Sequence, residues 1–207
     1  MGESVPTPET RKCQYDDVKP GMKRSTWLTK ETNIWRKIIP YLGQRKVSEI
    51  TAKDVIDWQN TIRKLKNKAG KPISPTYLKT IHGQLSAIFN HAMKFYDLAA
   101  NPAQKAGTMG AEESKEMEFW TKEEYLKFSE AMMDKPLSYY AFELLYWCGV
   151  REGELLALSP SDFNFEKRTL RINKSYQRLE GEDVISTPKT KNSNRIVKMP
   201  QFLCNAM

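Results

Sequence analysis

Apolar residues recur at intervals of three and four along much of the first hundred positions, which is the spacing of amphipathic helices. Three such stretches follow one another, at residues 23–43, 48–65 and 75–95. Pro40 is expected to break or kink the first helix near its end, because proline lacks the N–H that the helix ladder needs. The pattern therefore predicts a compact, all-helical unit over residues 15–105.

Helix-start signals support these boundaries. Thr51 and Asp54 stand at capping-box spacing at the start of the second stretch. The third opens on Ser74 followed by Pro75, and proline is well suited to the first helical position. Its predicted inward stripe consists of Leu78, Ile81, Leu85, Ile88, Phe89 and Ala92.

The pattern changes beyond residue 105. Residues 106–117 are rich in Gly, Ala and charge and lack apolar periodicity, so they are expected to form a linker. Thr121 and Glu124 repeat the capping-box signal at the start of a second domain, expected over residues 118–207. The apolar stretch at 137–147 predicts a helix whose inward residues are Phe142, Leu144, Leu145 and Tyr146.

Short β-branched segments then replace the helical pattern. The sequences TLRIN, DVISTP and RIVKMP are partly alternating and separated by turn residues, which predicts a small antiparallel sheet of two or three strands. The predicted fold class is therefore α+β, mainly α with a small antiparallel sheet. Residues 1–14 are polar and are expected to form a loose tail.

Charge is segregated along the 207 residues, whose formal net charge is +8. Between Trp58 and Tyr96 there are seven Lys or Arg and no acidic residue. This distribution favours a surface that faces phosphate, although a solvated lysine-rich surface is the alternative. Three scattered cysteines indicate a reducing cytoplasm, and no apolar run approaches the roughly 20 residues of a membrane helix.

Arg151 and Glu154 interrupt an otherwise apolar region, in the sequence CGVREGELLAL. Gly149 allows a sharp turn, after which Arg151 should lie at the start of a short helix with Glu154 one turn further on the same face. An ordinary ion pair at a helix start would explain this pair. A second candidate group, Lys189, is expected in a tight turn between two strands, with Ser193 and Arg195 after it.

Taken in order, CGVREGELLALSPSDF, the strand TLRI and PKTKNSNRIV resemble the tyrosine recombinase, or phage integrase, family, in the style of integrases from integrative and conjugative elements. Residues 23–60 resemble the family's helical core-binding domain, and residues 119–128 resemble the entry to its catalytic domain. The resemblance covers residues 18–200. It implies double-stranded DNA as partner, with no metal ion and no other cofactor.

The resemblance also implies roles. Arg151 matches the first of two family arginines that neutralise the phosphate, and Glu154 matches the acidic residue that orients its neighbours. Lys189 matches the lysine that protonates the leaving 5′-oxygen, which suits a general acid. Arg195 matches a common family pattern, and for it a backbone-phosphate contact and a plain strand position both remain open.

The helix at 75–95 carries the predicted DNA face. Opposite its apolar stripe, small and basic residues would let a duplex approach closely, with Lys79 on phosphate; a solvent face with incidental lysines is the alternative. The residues of this face are Thr76, Lys79, Thr80, Gly83, Asn90 and Lys94.

The chain departs from the family pattern in lacking a His-x-x-Arg motif and a tyrosine beyond Lys189. It is expected to be a fragment that binds DNA without cutting it, monomeric where the intact enzyme is a homotetramer on DNA. A DNA-binding regulator without catalysis is the alternative function, and a natural truncation product that interferes with the full enzyme is a third.

Overall fold

The computed structural model describes residues 19–112, 116–187 and 193–207. The chain divides into two compact units, residues 1–116 and 117–207. The first unit is helical, and the second combines helices with all the strands named below, so the predicted α+β class is confirmed. Across the described ranges, no helix combines the length and apolar composition required to span a membrane.

The first unit is a bundle of helices. Its elements are α1 (Arg24–Asn33), a π-helical segment (Ile34–Ile38), α2 (Ile39–Leu42), α3 (Ala52–Arg63), α4 (Pro75–Phe95) and α5 (Pro102–Ala106), with 3-10 turns at Lys19–Gly21 and Val47–Glu49.

The predicted helix starts of this unit are confirmed. At the start of α3, the Asp54 amide donates to Thr51 Oγ1 at 3.3 Å and the Thr51 amide donates to Asp54 Oδ2 at 2.9 Å. At the start of α4, the Tyr77 amide donates to Ser74 Oγ at 3.3 Å.

Pro40 changes the helix geometry without ending the helix. The chain passes from α1 through the π-helical segment Ile34–Ile38 and continues as α2 to Leu42. Because proline offers no N–H and crowds the carbonyl of the preceding turn, a wider turn just before it accommodates the missing hydrogen bond. The predicted irregularity at Pro40 therefore takes the form of a local π-helix.

The core of the first unit includes a residue from the predicted linker. Met109 is fully buried together with Val55, Ile62 and Ile81. Nearby, Gln59 Nε2 donates to the carbonyl of Gly107 at 2.7 Å. Part of the predicted linker, residues 107–112, thus packs against the helices of the first unit.

The second unit contains α6 (Lys122–Ala131), α7 (Pro136–Cys148), α8 (Glu152–Leu155), a 3-10 turn (Pro160–Asp162) and α9 (Gln201–Ala206). The strands among its described residues are β1 (Phe163–Asn164), β2 (Thr169–Ile172), β3 (Ser175–Leu179), β4 (Glu182–Ser186) and β5 (Arg195–Lys198). They form a three-stranded sheet in the order β1-β2-β5 and a separate β3-β4 hairpin, all antiparallel.

The predicted small antiparallel sheet is present as the three strands β1-β2-β5, but the second sheet was not predicted. The strands β1 and β3 were missed because one is two residues long and the other, SYQRL, is polar and only partly buried. The segments read as DVISTP and RIVKMP do form strands, but they belong to different sheets.

One predicted inward position on α7 was also wrong. Phe142 is 38% exposed, while its neighbour Glu143 is 3% exposed. Tyr125 Oη and Ser129 Oγ both donate to Glu143 Oε1, at 2.6 Å and 2.7 Å. Because nearly every residue of α7 is apolar, the sequence pattern does not indicate which face of the helix is buried. The hydrogen bonds from Tyr125 and Ser129 on α6 orient the helix so that Glu143 is buried.

Candidate active site

A left-handed turn delivers Arg151 to the start of α8. The helix α7 ends at Cys148, and Gly149 adopts φ 59° and ψ 34°, a conformation that glycine reaches with little strain. Arg151 then returns to extended backbone as the residue that precedes α8. The predicted turn at Gly149 and the predicted position of Arg151 are both confirmed.

A second glycine sets the depth at which α8 packs. A Cβ at Gly153 would lie 2.7 Å from Ser175 Oγ and 2.7 Å from the carbonyl oxygen of Tyr176. Both contacts come from strand β3, so α8 rests directly against that strand. This close packing fixes the position of the whole short helix that carries Glu154.

Glu154 is bound by two arginines. Its side chain is 6% exposed, and Arg151 Nη1 donates to Oε1 at 3.0 Å while the Arg151 amide donates to Oε2 at 2.9 Å. Arg195 donates from Nη1 to Oε1 at 2.9 Å and from Nη2 to Oε2 at 2.7 Å. A carboxylate that accepts this many charge-assisted hydrogen bonds is held in its ionised form.

Electrostatics agree with this geometry. The hydrogen bonds from Arg195 are the largest influence on Glu154; with the amide and side chain of Arg151 they outweigh burial and lower its pKa to about 2. Two guanidinium charges surround one carboxylate, so the cluster carries one excess positive charge. That excess lies at the surface, because the Arg151 side chain is 76% exposed against 29% for Arg195.

Arg195 reaches Glu154 from the first position of β5. It pairs with the buried Ile172 of β2, and side chains opposite each other in an antiparallel pair lie on the same face. Arg195 and Val197 thus face inward, while Ile196 is 70% exposed. The sequence prediction left Arg195 between a phosphate contact and a plain strand position, and the structure places both of its η nitrogens on Glu154.

Lys189 falls outside the described residues. The strands that flank it along the chain, β4 and β5, pair with β3 and β2 respectively. In the described part of the second unit, these two strands do not pair with each other.

A further buried carboxylate in this unit, besides Glu143 and Glu154, was not anticipated. Asp162 is 1% exposed, and Lys174 Nζ lies 2.7 Å from its Oδ2. Burial opposes ionisation, but hydrogen bonds from Lys174 and Ser159 prevail and lower the pKa of Asp162 to about 2. The spacing from Ser159 to Asp162 is a capping box, which is the signal that could have found this site.

The predicted DNA face lies in the first unit, on α4. Thr76, Thr80, Gly83 and Lys94 are all exposed, and so is Asn90, whose side chain accepts a hydrogen bond from Asn101 Nδ2 at 2.8 Å. Lys79 is partly exposed and forms an ion pair with Glu112. The lysine that was predicted to bind phosphate therefore has a carboxylate as its ionic partner.

Other polar groups have structural partners. The buried His82 is close to Gln59, with 3.3 Å between Nδ1 and Nε2, and burial lowers its pKa. Over the ranges that the structure describes, no group of three or more His, Cys, Asp or Glu side chains could hold a metal ion.

Comparison with known proteins agrees with the sequence resemblance. The family described as "Phage integrase, N-terminal SAM-like domain" matches residues 15–63. The ICEBs1 integrase of Bacillus subtilis is 29% identical over 194 residues, which cover 92% of this chain and 49% of that protein. A "Tyrosine recombinase XerC-like" protein of Caldanaerobacter subterraneus is 30% identical and is matched over 54% of its length. The chain thus spans about half the length of these curated relatives.

Solved structures establish the fold. The Tn1549 transposon integrase in complex with a circular intermediate DNA superposes with a TM-score of 0.77 at 20% identity, covering 96% of this chain and 63% of that one. A lambda integrase tetramer bound to a Holliday junction gives 0.63 at 22% identity, covering 89% and 51%. Together with the sequence matches, this confirms the resemblance predicted from the sequence: the chain is similar to tyrosine recombinases of the integrase type.

Proposed function

We propose that these residues form the DNA-binding and phosphate-activating part of a site-specific DNA recombinase. The observation that carries the proposal is the arrangement around Glu154, where a buried carboxylate holds one inward arginine and one exposed arginine. A pure DNA-binding protein has no need to build a neutralised carboxylate beneath an exposed guanidinium. A phosphoryl-transfer site does, because the charge that grows on the phosphate must be met by a preorganised donor.

The proposed reaction follows from the family relationship. A tyrosine hydroxyl attacks the phosphodiester, so an O–P bond to tyrosine forms and the bond from phosphorus to the 5′-oxygen breaks. The product is a 3′-phosphotyrosine and a 5′-hydroxyl. The energy of the phosphodiester is kept in the new bond, so the scheme requires no ATP. Cationic side chains neutralise the charge on the phosphate, so the scheme requires no metal ion.

Each site residue has a role in this scheme. Arg151 donates hydrogen bonds to the non-bridging phosphate oxygens, and Glu154 orients Arg151. Lys189 donates a proton to the departing 5′-oxygen, which suits a cation that stays protonated until oxyanion charge develops.

Three tyrosines of the second unit have structural partners and are not proposed as the attacking residue. Tyr125 donates to Glu143, Tyr140 donates to the carbonyl of Ala206 and Tyr176 donates to Asp183. In the family the nucleophile and the His-x-x-Arg motif follow the lysine, and residues 190–207 contain neither a tyrosine nor this motif. We therefore expect these 207 residues alone to bind DNA without cleaving it.

DNA binding is assigned chiefly to α4 of the first unit, the predicted core-binding domain. Its exposed face combines two threonines, a glycine and Lys94, with Lys79 at the edge. The exposed lysines at 64, 66, 68 and 71 add affinity that does not depend on sequence. The assembly proposed for the intact enzyme is a homotetramer on DNA in the cytoplasm, with these residues alone monomeric.

Salt dependence of DNA binding tests the proposal. Fluorescence anisotropy of a labelled duplex at 50 mM and 200 mM salt should show affinity that falls steeply, by roughly tenfold or more for several phosphate contacts. Lys94→Ala should weaken binding and reduce the salt slope by about one. Lys53 of α3 lies outside the acid-free stretch between Trp58 and Tyr96, so Lys53→Ala should change neither the affinity nor the slope. Affinity that is indifferent to salt would reject the proposal.

Cleavage separates a recombinase from a non-catalytic regulator. A protein that joins these residues to the family's downstream segment should form a covalent complex with a nicked duplex. Arg151→Ala should abolish the covalent complex while weakening duplex binding only by roughly tenfold. A regulator would form no covalent complex with or without the substitution.

A further inference from the structure

Arg151 and Arg195 share Glu154 unequally. Arg195 uses two nitrogens on both carboxylate oxygens, at 2.9 Å and 2.7 Å, in the paired geometry that gives the strongest charge-assisted contact. The side chain of Arg151 reaches the same carboxylate through Nη1 alone, at 3.0 Å. Its second bond to Glu154 comes from the backbone amide, which leaves the rest of the guanidinium facing outward.

This division matters for any anion that approaches Arg151. An arginine that is alone with a glutamate tends to close the paired contact, and its charge is then largely neutralised. In this cluster the paired contact is already taken by Arg195. The carboxylate can therefore orient Arg151 without neutralising it.

We propose that Arg195 is a positioning residue that serves as the counter-ion of Glu154 and so keeps the Arg151 guanidinium available to a DNA phosphate. The inference rests on the proposed function, in which Arg151 contacts the phosphodiester. It replaces the direct phosphate contact that the sequence allowed for Arg195.

The surrounding structure holds Arg195 in place. Strand β5 pairs with β2 along all four of its residues, and its partners Leu170 and Ile172 are in the core. Arg195 Nη2 also lies 3.4 Å from the carbonyl oxygen of Gly149, in the turn that leads to Arg151. The same guanidinium thus contacts both the carboxylate and the turn that set the position of Arg151.

Duplex DNA affinity of the 207-residue protein tests the inference through four variants. Arg151→Ala should weaken binding by roughly tenfold, the effect of one charged hydrogen bond. Arg195→Met should cause nearly the same loss of affinity, because Arg151 then forms the two-nitrogen ion pair with Glu154 and is no longer available to phosphate. Arg195→Lys should cause an intermediate loss of affinity, since lysine keeps the charge but cannot form the two-nitrogen contact with Glu154. Arg195→Met with Glu154→Gln should recover most of the loss, because no carboxylate remains to capture Arg151.

A matched control separates this effect from net charge. Arg178→Met, alone and with Asp183→Asn, makes the same charge changes at an exposed pair on the β3-β4 hairpin, and should alter affinity about threefold or less. A second measurement needs no DNA. In carbon-detected NMR titrations, the pKa of Glu154 should rise more in Arg195→Met than in Arg151→Ala.

The outcomes are distinct. If Arg151→Ala binds like the wild type, the proposed phosphate contact fails, and the titration of Glu154 still decides whether Arg195 is its counter-ion. If Arg151→Ala weakens binding but Arg195→Met does not, the inference is overturned while the proposed function stands. If the double variant binds no better than Arg195→Met, Arg195 is merely structural and the inference is again overturned.

Discussion

Arg195 and Glu154, which are 41 positions apart in the chain, form a two-nitrogen ion pair at 2.9 Å and 2.7 Å that joins the strand β5 to the helix α8. The pair ties together the two chain segments that carry the candidate site. Several of the measurable properties of the protein depend on this contact and on the packing around it.

Acid should weaken the fold through Glu154. Its folded pKa of about 2 lies below the ordinary value of 4.5, so its contribution is complete above pH 5 and is lost as the pH falls from 4.5 towards 2. The stability difference between wild type and Glu154→Gln in urea unfolding should therefore shrink by up to about 3 kcal/mol between pH 6 and pH 2. A difference that stays constant with pH would contradict this.

Glu152→Gln is the matched control for that series. Glu152 is exposed in the same short helix and has no ion pair in the part of the chain that the structure describes. Its substitution should change the free energy of unfolding at pH 6 by less than about 0.5 kcal/mol.

Gly153→Ala should disturb the site without touching its charges. The new methyl group would meet Ser175 Oγ and the Tyr176 carbonyl at 2.7 Å, so α8 must move away from β3. We expect a loss of about 1–3 kcal/mol in thermal or urea unfolding, together with weaker DNA binding. Unchanged stability and affinity would show that α8 can shift freely.

Glu112→Gln should strengthen DNA binding. Glu112 forms an ion pair with Lys79 and competes with phosphate for that lysine. Removing its charge should raise the affinity for a duplex at low salt by a factor of about two to five, because surface pairs of this kind are weak. Glu116→Gln makes the same charge change nearby and should have a smaller effect; equal effects would mean that net charge alone is responsible.

Gly83→Ala distinguishes a DNA face from a solvent face. Gly83 lies within α4, and an added Cβ would have no heavy atom within 4 Å. The substitution should therefore stabilise the helix by about 0.5–1 kcal/mol. If a duplex packs closely on this face, anisotropy should show lower affinity despite the higher stability. An unchanged affinity would favour the plain solvent face.

Tyr125→Phe should destabilise the second unit. The hydroxyl of Tyr125 donates to the buried carboxylate of Glu143 at 2.6 Å, and a hydrogen bond to a buried charged group contributes about 1.5–3 kcal/mol. Tyr139→Phe, at a half-buried tyrosine of the neighbouring helix, is the control and should cost less than about 0.5 kcal/mol in urea unfolding. Equal losses of stability in the two variants would show that the hydrogen bond from Tyr125 to Glu143 does not stabilise the fold.

The parts of this structure that depend on local interactions could be predicted from the sequence. The capping boxes at Thr51 and Thr121, the start of α4 at Pro75 and the turn at Gly149 each depend on residues within four positions of one another. The pairing of Arg151 with Glu154 belongs to the same class, since three residues along a helix start bring the two side chains together.

The remaining features depend on contacts between distant segments. Each face of the strand RIVK carries one basic and one apolar residue, so the sequence fits either orientation. The pairing of β5 with β2 turns Arg195 inward. Hydroxyl partners on α6 turn Glu143 inward and leave Phe142 exposed. The sequence by itself determined the helices, their starts and the arginine–glutamate pair, because short-range geometry suffices for these. The tertiary structure alone decided which cation neutralises Glu154, because that choice depends on where a strand 41 positions away is hydrogen-bonded.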